Sequence, residues 1–284
     1  MTSRALVLGG GAVVGIAWEV GVLAGLAAKG VDLRDADLVV GTSGGSLVGA
    51  QLAGGMGIED MYGRQTAPPA GEPIPKVSPF GVFRLVWQLS RAKDTKDFGA
   101  RMGRIALAAR TGSEEERRSQ IARWLGDVPG WPRTRLVIAA IDAESGEPVD
   151  FDGGSGVDLV SAVSASTAAP GVRPPTTIGG RRYIDGGLRS AANVDLAMGY
   201  DRVVVIAPMT RGGGRVMKGV AEQIAGLGRR SRVVLVEPDP KTWRSIIGRS
   251  VGNLLDPARR APAARAGRER GVELAAEVAA VWND

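Results

Sequence analysis

The sequence holds 284 residues, with 36 Lys and Arg against 30 Asp and Glu for a formal net charge of +6, and it contains neither His nor Cys. Without His there can be no Ser-His-Asp or Cys-His mechanism and no His-ligated metal. Without Cys there can be no disulfide, thiolate nucleophile or Cys-ligated zinc or iron–sulfur site. Any catalytic base must be Asp, Glu, Lys, Tyr or a metal-bound water.

Hydrophobic residues at 44% and charged ones at 23% are those of an ordinary soluble globule, and the length predicts one domain or at most two. Glycine, at 42 residues, is roughly twice as frequent as usual and demands local explanations. Only six of the 36 basic residues are Lys, and they are scattered with the Arg rather than clustered. This reads as an Arg-rich surface with a mild preference for anionic membranes, and not as a nucleic-acid-binding one.

In chain order, Ala5–Ala28 is apolar apart from Glu19, like a signal peptide or spanning helix, but six glycines interrupt it. Glu19 would also lie near the bilayer centre. The stretch is better read as a strand (Ala5–Leu8), a glycine turn and a buried helix (Ile16–Ala28), in a cytoplasmic chain without a cleaved leader. Strands are expected at Asp37–Val40, Leu136–Ile141, Arg182–Ile184, Arg202–Ile206 and Arg232–Val236. Helices are expected after Gly45 through Leu52, at Leu159–Ala168 and at Pro262–Val281. Strand and helix alternate, which predicts an α/β protein with a mainly parallel sheet flanked by helices in three layers. Between about Tyr62 and Pro132 the strand pattern lapses, and Phe80–Leu89, Phe98–Ala109 and Glu114–Leu125 read as the helices of an insert or cap within a single domain spanning 1–284.

Three motifs carry chemistry. Gly41-Thr42-Ser43-Gly44-Gly45 is a G-x-S-x-G between an apolar strand and an apolar helix. That is the context of a nucleophile elbow, in which the hydroxyl of Ser43 is pushed out on a sharp turn at a helix N-terminus. The bland alternative is a helix cap. Gly9-Gly10-Gly11-Ala12-Val13-Val14-Gly15 suits an oxyanion hole built from backbone N–H groups, or the phosphate turn of a dinucleotide site, although the G-x-G-x-x-G spacing narrowly fails. Tyr183-Ile184-Asp185-Gly186-Gly187 ends a short strand with a carboxylate; by itself it is a D-G turn, but in a chain with a candidate Ser nucleophile and no His it supplies a base. Asp150-Phe151-Asp152-Gly153-Gly154 lacks the further ligands of a calcium loop and reads as a solvated turn.

The three motifs in this order, together with Ser164–Val172 and Pro174-Pro175, make the chain resemble the patatin-like phospholipases over most of residues 4–207; the insert and residues 208–284 match loosely. The resemblance implies a Ser-Asp dyad with Ser43 as nucleophile and Asp185 as proton acceptor. It implies an oxyanion hole drawn from Gly10, Gly11, Ala12 and Gly44, with Gly41, Gly45, Gly186 and Gly187 as motif glycines. It also implies hydrolysis of a lipid acyl ester through an acyl-enzyme, with no cofactor or metal. The family's glycine loop often carries a basic residue where Val13 or Val14 stands, and a glycine where Ala12 stands. Acyl transfer on the same dyad, or a non-catalytic nucleotide- or lipid-binding protein using the glycine loop, are the alternatives. Phe80, Val82, Phe83, Leu85, Val86, Trp87 and Leu89, followed by Arg91, Lys93 and Lys96, would either pack on the sheet or rest on an anionic interface.

Overall fold

A computed structural model of the chain describes residues 2–69, 86–214, 216–228, 230–248 and 250–283. Among the described residues, eight strands form one mixed sheet: β1 (Arg4–Leu8), β2 (Leu38–Thr42), β3 (Arg135–Asp142), β4 (Pro148–Phe151), β5 (Thr176–Ile178), β6 (Arg181–Asp185), β7 (Arg202–Ile206) and β8 (Arg232–Val236). The order is β5-β6-β3-β2-β1-β7-β8, with β4 also paired to β3. The pairs β1–β2, β2–β3, β1–β7 and β7–β8 are parallel, whereas β4 and β6 run antiparallel to β3 and β5 antiparallel to β6.

The central strands are continuous apolar runs because both faces of the sheet are covered. Leu6, Leu8, Val39, Ile138, Val204 and Ile206 face one core, and the alternating Ala5, Val7, Leu38, Val40, Val203 and Val205 face the other. The first core is roofed by α1 (Ala12–Ala27), α2 (Gly44–Ala53), α6 (Leu159–Ser166) and α9 (Arg260–Trp282). The second is covered more thinly, by residues 191–200 and α7 (Val220–Gly226). Helices α3 (Ile58–Thr66), α4 (Thr95–Ala108) and α5 (Glu114–Leu125) lie between α2 and β3 in the chain, and α8 (Pro240–Ile247) follows β8.

The expected helix Ile16–Ala28 begins four residues earlier, at Ala12, because the glycine turn closes directly into it. The strands β4 and β5 and the helices α3, α7 and α8 are short and lack a clean apolar period, so no sequence pattern announces them. Of the expected helix Phe80–Leu89, residues 80–85 lie outside the described residues, while 86–91 are helical. There Val86 and Trp87 are exposed, Arg91 stacks over the Trp87 ring at 4.2 Å, and Leu89 packs beside Gly213. No described helix is long and apolar enough to cross a membrane.

Helix α1 is buried from Val14 through Leu26, and its glycines have a specific purpose. A Cβ on Gly21 or Gly25 would lie 2.1 or 2.2 Å from the carbonyl oxygens of Ala264 or Arg268 on α9, and one on Gly267 would lie 2.1 Å from that of Trp18. Two helices of small residues therefore touch backbone to backbone, and each excludes side chains from the other.

The register around β3 positions the site. Ala139 pairs with Thr42 of β2 and with Asp150 of β4, so those strands lie on opposite edges of β3; Ala140 pairs with Val149 of β4 and with Asp185 of β6, which places β6 on the β2 edge. Strands β2 and β6 thus approach head-on along one edge, with the last residue of each against consecutive residues of β3.

Replacing Gly267 by Ala is expected to cost roughly 1–3 kcal/mol by overpacking the α1–α9 contact. Urea denaturation should show a lower midpoint at an unchanged m-value.

Candidate active site

Ser43 follows β2 directly and precedes the first residue of α2, with φ 51° and ψ −121°, a left-handed conformation that non-glycine residues rarely adopt. The flanking glycines make this turn possible. A Cβ on Gly45 would lie 2.3 Å from the carbonyl oxygen of Leu8, and one on Gly41 would lie 2.5 Å from the Ser46 Cα. The strained residue is held from below: the Ser166 hydroxyl accepts the Ser43 N–H at 2.9 Å and donates to the Ala139 carbonyl at 2.7 Å. Ser166 thus bridges the gap between β2 and β6 where the ladder of β3 would otherwise be left unpaired.

Across that gap the Ser43 Oγ donates to Asp185 Oδ2 at 2.8 Å, over a separation of 142 residues in sequence. The other carboxylate oxygen accepts the Gly187 N–H at 2.8 Å, which fixes the side chain in one orientation. Gly186 allows the tight turn, since a Cβ there would lie 2.3 Å from the Ala139 carbonyl oxygen. Asn193, itself buried and left-handed with φ 51°, donates its side-chain amide to Thr42 Oγ1 at 3.0 Å and to the Gly186 carbonyl at 3.3 Å, tying the elbow to the Asp-Gly-Gly turn. Burial lifts the Asp185 carboxyl from an ordinary 3.8 to about 6, against the lowering effects of Gly187, Ser43 and Arg117.

The glycine loop faces Ser43: a Cβ on Gly10 would lie 3.2 Å from that of Ser43. The loop is pinned by three backbone bonds, from Gly9 to the Ile206 carbonyl at 3.0 Å, from Gly10 to the Ala191 carbonyl at 2.7 Å and from Gly45 to the Gly9 carbonyl at 3.0 Å. The Gly10 N–H is already committed to Ala191 and holds the loop in place, whereas those of Gly11, Ala12 and Gly44 bond to no other described residue. Ala12 and Gly44 open α1 and α2, so two helix N-termini meet beside the hydroxyl. Ala12 holds φ 51°, the conformation a glycine would adopt without strain. Glu19, buried on α1, has its carboxyl held well above the ordinary value by desolvation.

Ser43 and Asp185 open on a cavity of about 70 Å³ with apolar walls that include Ile16, Leu47, Val172 and Leu255. Trp124 and Arg117 from α5, together with Thr167 and Arg173, complete the lining. An adjoining space of about 210 Å³ shares Val13, Ile16, Leu47 and Trp124 with it and extends toward Arg64, Arg123 and Arg260. Away from the site, Asp152 Oδ1 accepts the Gly154 N–H at 2.9 Å and the Ser155 hydroxyl at 3.0 Å, closing a turn on itself.

The structure thus brings together Ser43, Asp185 and all three motifs. In the sequence Ser166 is marked only as part of the Ser164–Val172 block, and Asn193, Arg117 and Arg173 are marked by no motif. Ser166 and Asn193 act through hydrogen bonds across 123 and 151 residues, and no local pattern announces such partners.

The model of the patatin-like phospholipase family matches residues 6–198, more than half of the chain. The chain belongs to the patatin-like phospholipase family. No curated protein matches it. Among solved structures it is similar to VipD from Legionella pneumophila, with 12% identity, a TM-score of 0.45 and coverage of 97% of this chain and 67% of that one. It is also similar to the type III effector protein ExoU, with 14% identity, a TM-score of 0.40 and coverage of 98% of this chain and 53% of that one.

Because Asp185 binds its proton more tightly in the folded state, its charge opposes folding; the cost is absent below about pH 4 and complete above about pH 6. Asp185→Asn keeps the shape and removes the charge, so it should stabilise the protein at pH 8 by as much as about 3 kcal/mol while abolishing activity. Its advantage should vanish near pH 4, and thermal melts at the two pH values check this.

Proposed function

We propose that the protein is a serine lipid acyl hydrolase in which Ser43 is the nucleophile and Asp185 the base. The observation that carries the reading is the 2.8 Å bond from Ser43 Oγ to a buried carboxylate, in a chain with no His to take that role. A carboxylate raised to about 6 is a better proton acceptor than an ordinary one and remains ionised at neutral pH.

Ser43 Oγ attacks the ester carbonyl carbon as its proton passes to Asp185 Oδ2. The carbonyl oxygen, now negative, is met by the N–H groups of Gly11, Ala12 and Gly44, each such donor being worth roughly 3 kcal/mol in the transition state. Collapse of the tetrahedral intermediate breaks the C–O bond, and the leaving alcohol takes the proton from Asp185. Water then attacks the acyl-Ser43 ester with Asp185 again accepting a proton, and the carboxylic acid departs as Ser43 Oγ recovers it. The apolar walls from Ile16, Leu47 and Trp124 favour a hydrocarbon chain as the acyl group. Family membership supports a lipid ester as the substrate class.

A fluorophosphonate probe should label the wild type at Ser43, and mass spectrometry of the labelled peptide locates the adduct. Ser43→Ala should lose the label and all esterase turnover. Equal labelling of wild type and Ser43→Ala would overturn the proposal.

A further inference from the structure

We propose that Arg117 is a positioning residue for the dyad: its buried guanidinium is the counter-charge that stabilises Asp185 in the form able to accept the Ser43 proton. The kinetic consequence rests on the hydrolase reading above, whereas the charge pairing itself can be measured without turnover.

Three consecutive residues bring the groups together. The Ser166 hydroxyl accepts the Ser43 N–H at 2.9 Å, Thr167 Oγ1 accepts from the Arg117 guanidinium at 2.9 Å, and the Ala168 carbonyl accepts the Asp185 N–H at 3.2 Å. Nucleophile, cation and base are thus fixed to one short stretch of chain at the end of α6, and Arg117 reaches it from α5. The guanidinium is steadied on α5 itself, by Gln120 Oε1 at 2.6 Å and by the Trp124 ring at 5.2 Å. Only 7% of Arg117 is exposed, and its Nε is buried without a hydrogen-bond partner. A helix anchor on Thr167 needs a donor but no charge. A buried cation is costly to desolvate, and the neutral groups of Thr167, Gln120 and Trp124 bring no full negative charge to offset that cost.

Asp185 brings one, across the cavity of about 70 Å³ that both side chains line. Among the described residues lining this cavity, the charged ones are Asp185, Arg117 and Arg173; α1 and α2 face it with apolar side chains, backbone and the Ser43 hydroxyl. The direct donors to the Asp185 carboxylate are that hydroxyl and the Gly187 N–H, and neither carries a charge. Burial raises the Asp185 carboxyl, and the attraction of Arg117 opposes the rise. Reciprocally, burial and then the repulsion of Arg173 bring the Arg117 guanidinium down to about 9, and the attraction of Asp185 opposes them. With a value of about 9, Arg117 stays charged throughout the acid range in which Asp185 titrates.

The test measures the rate of fluorophosphonate labelling of Ser43 against pH in wild type, Arg117→Gln and Arg117→Lys. Gln keeps a donor for Thr167 without the charge, and Lys restores the charge. Loss of the cation disfavours the carboxylate, so the acid limb of Arg117→Gln should move up by about one pH unit, and that of Arg117→Lys should return toward the wild-type midpoint. A purely structural anchor would lower the rate at every pH and leave the midpoint in place, so an unmoved midpoint in Arg117→Gln overturns the inference. A shift as large in Arg173→Gln also overturns it, because the counter-charge would then not belong to Arg117. Thermal melts give a readout independent of labelling. At pH 8, Asp185→Asn should raise the melting temperature more in the Arg117→Gln background than in wild type, since a carboxylate without its counter-charge opposes folding more strongly, and the difference should vanish near pH 4. Equal gains in the two backgrounds overturn the inference. Should Arg117→Gln not fold at pH 8, the added Asp185→Asn should recover the fold, and failure to recover it overturns the inference as well. Labelling of wild type with an unmoved midpoint defeats this inference alone; no labelling of wild type, with the difference between melts present, defeats the hydrolase reading and leaves the charge pairing standing.

Discussion

The site depends on a single edge of β3. Strand β2 arrives along that edge in parallel and stops at Thr42; β6 arrives from the other direction and stops at Asp185, one β3 residue further on. Two chain segments far apart in sequence are thereby brought tip to tip, and Ser43 and Asp185 meet at the junction. A gap between collinear strands leaves backbone groups unpaired, which a buried sheet does not tolerate. The Ser166 hydroxyl closes the gap from one side and the Asn193 amide from another. The Ser43–Asp185 hydrogen bond is a further crossing.

Two costs accumulate at this junction. Ser43 and Ala12, which line the same cavity, are both held at φ 51°, a conformation non-glycine residues rarely adopt. Asp185 is buried at 8% exposure with a single backbone donor and the Ser43 hydroxyl, too few to hold its charge at an ordinary value. The surrounding packing offsets both. The interlocked glycine stripes of α1 and α9 fix the helix whose first residue is Ala12, and the Gly45 bond to the Gly9 carbonyl couples the loop to the elbow.

Much of this was legible in the residues. The apolar runs at β1, β2, β3 and β7 identified the parallel centre of the sheet, and the absence of His turned a common G-x-S-x-G toward the Asp-Gly-Gly turn. The antiparallel arrival of β6 was not legible, because Arg181–Asp185 reads the same in either direction and only the tight turn at 179–180, pairing β5 with β6, reverses it. Nor was the commitment of Gly10 to Ala191, since the acceptor is supplied by a loop 181 residues away in the chain. The excess of glycine had two separate reasons that composition cannot distinguish: turns that admit no Cβ around Ser43, and a helix contact that admits none between α1 and α9. Arg117 reads as one of several charges on an amphipathic helix, and only the placement of α5 over Thr167 makes it a buried cation.

The central claim is that a buried carboxylate near 6, and no other group, activates Ser43. The direct test is the second-order rate of fluorophosphonate labelling of Ser43 measured from pH 4.5 to pH 9. The account predicts a rate that falls on the acid side along a single titration centred about pH 6, with the limb and most of the reactivity lost in Asp185→Asn. A limb that survives in Asp185→Asn, or labelling by the wild type that does not change across this range, would contradict it.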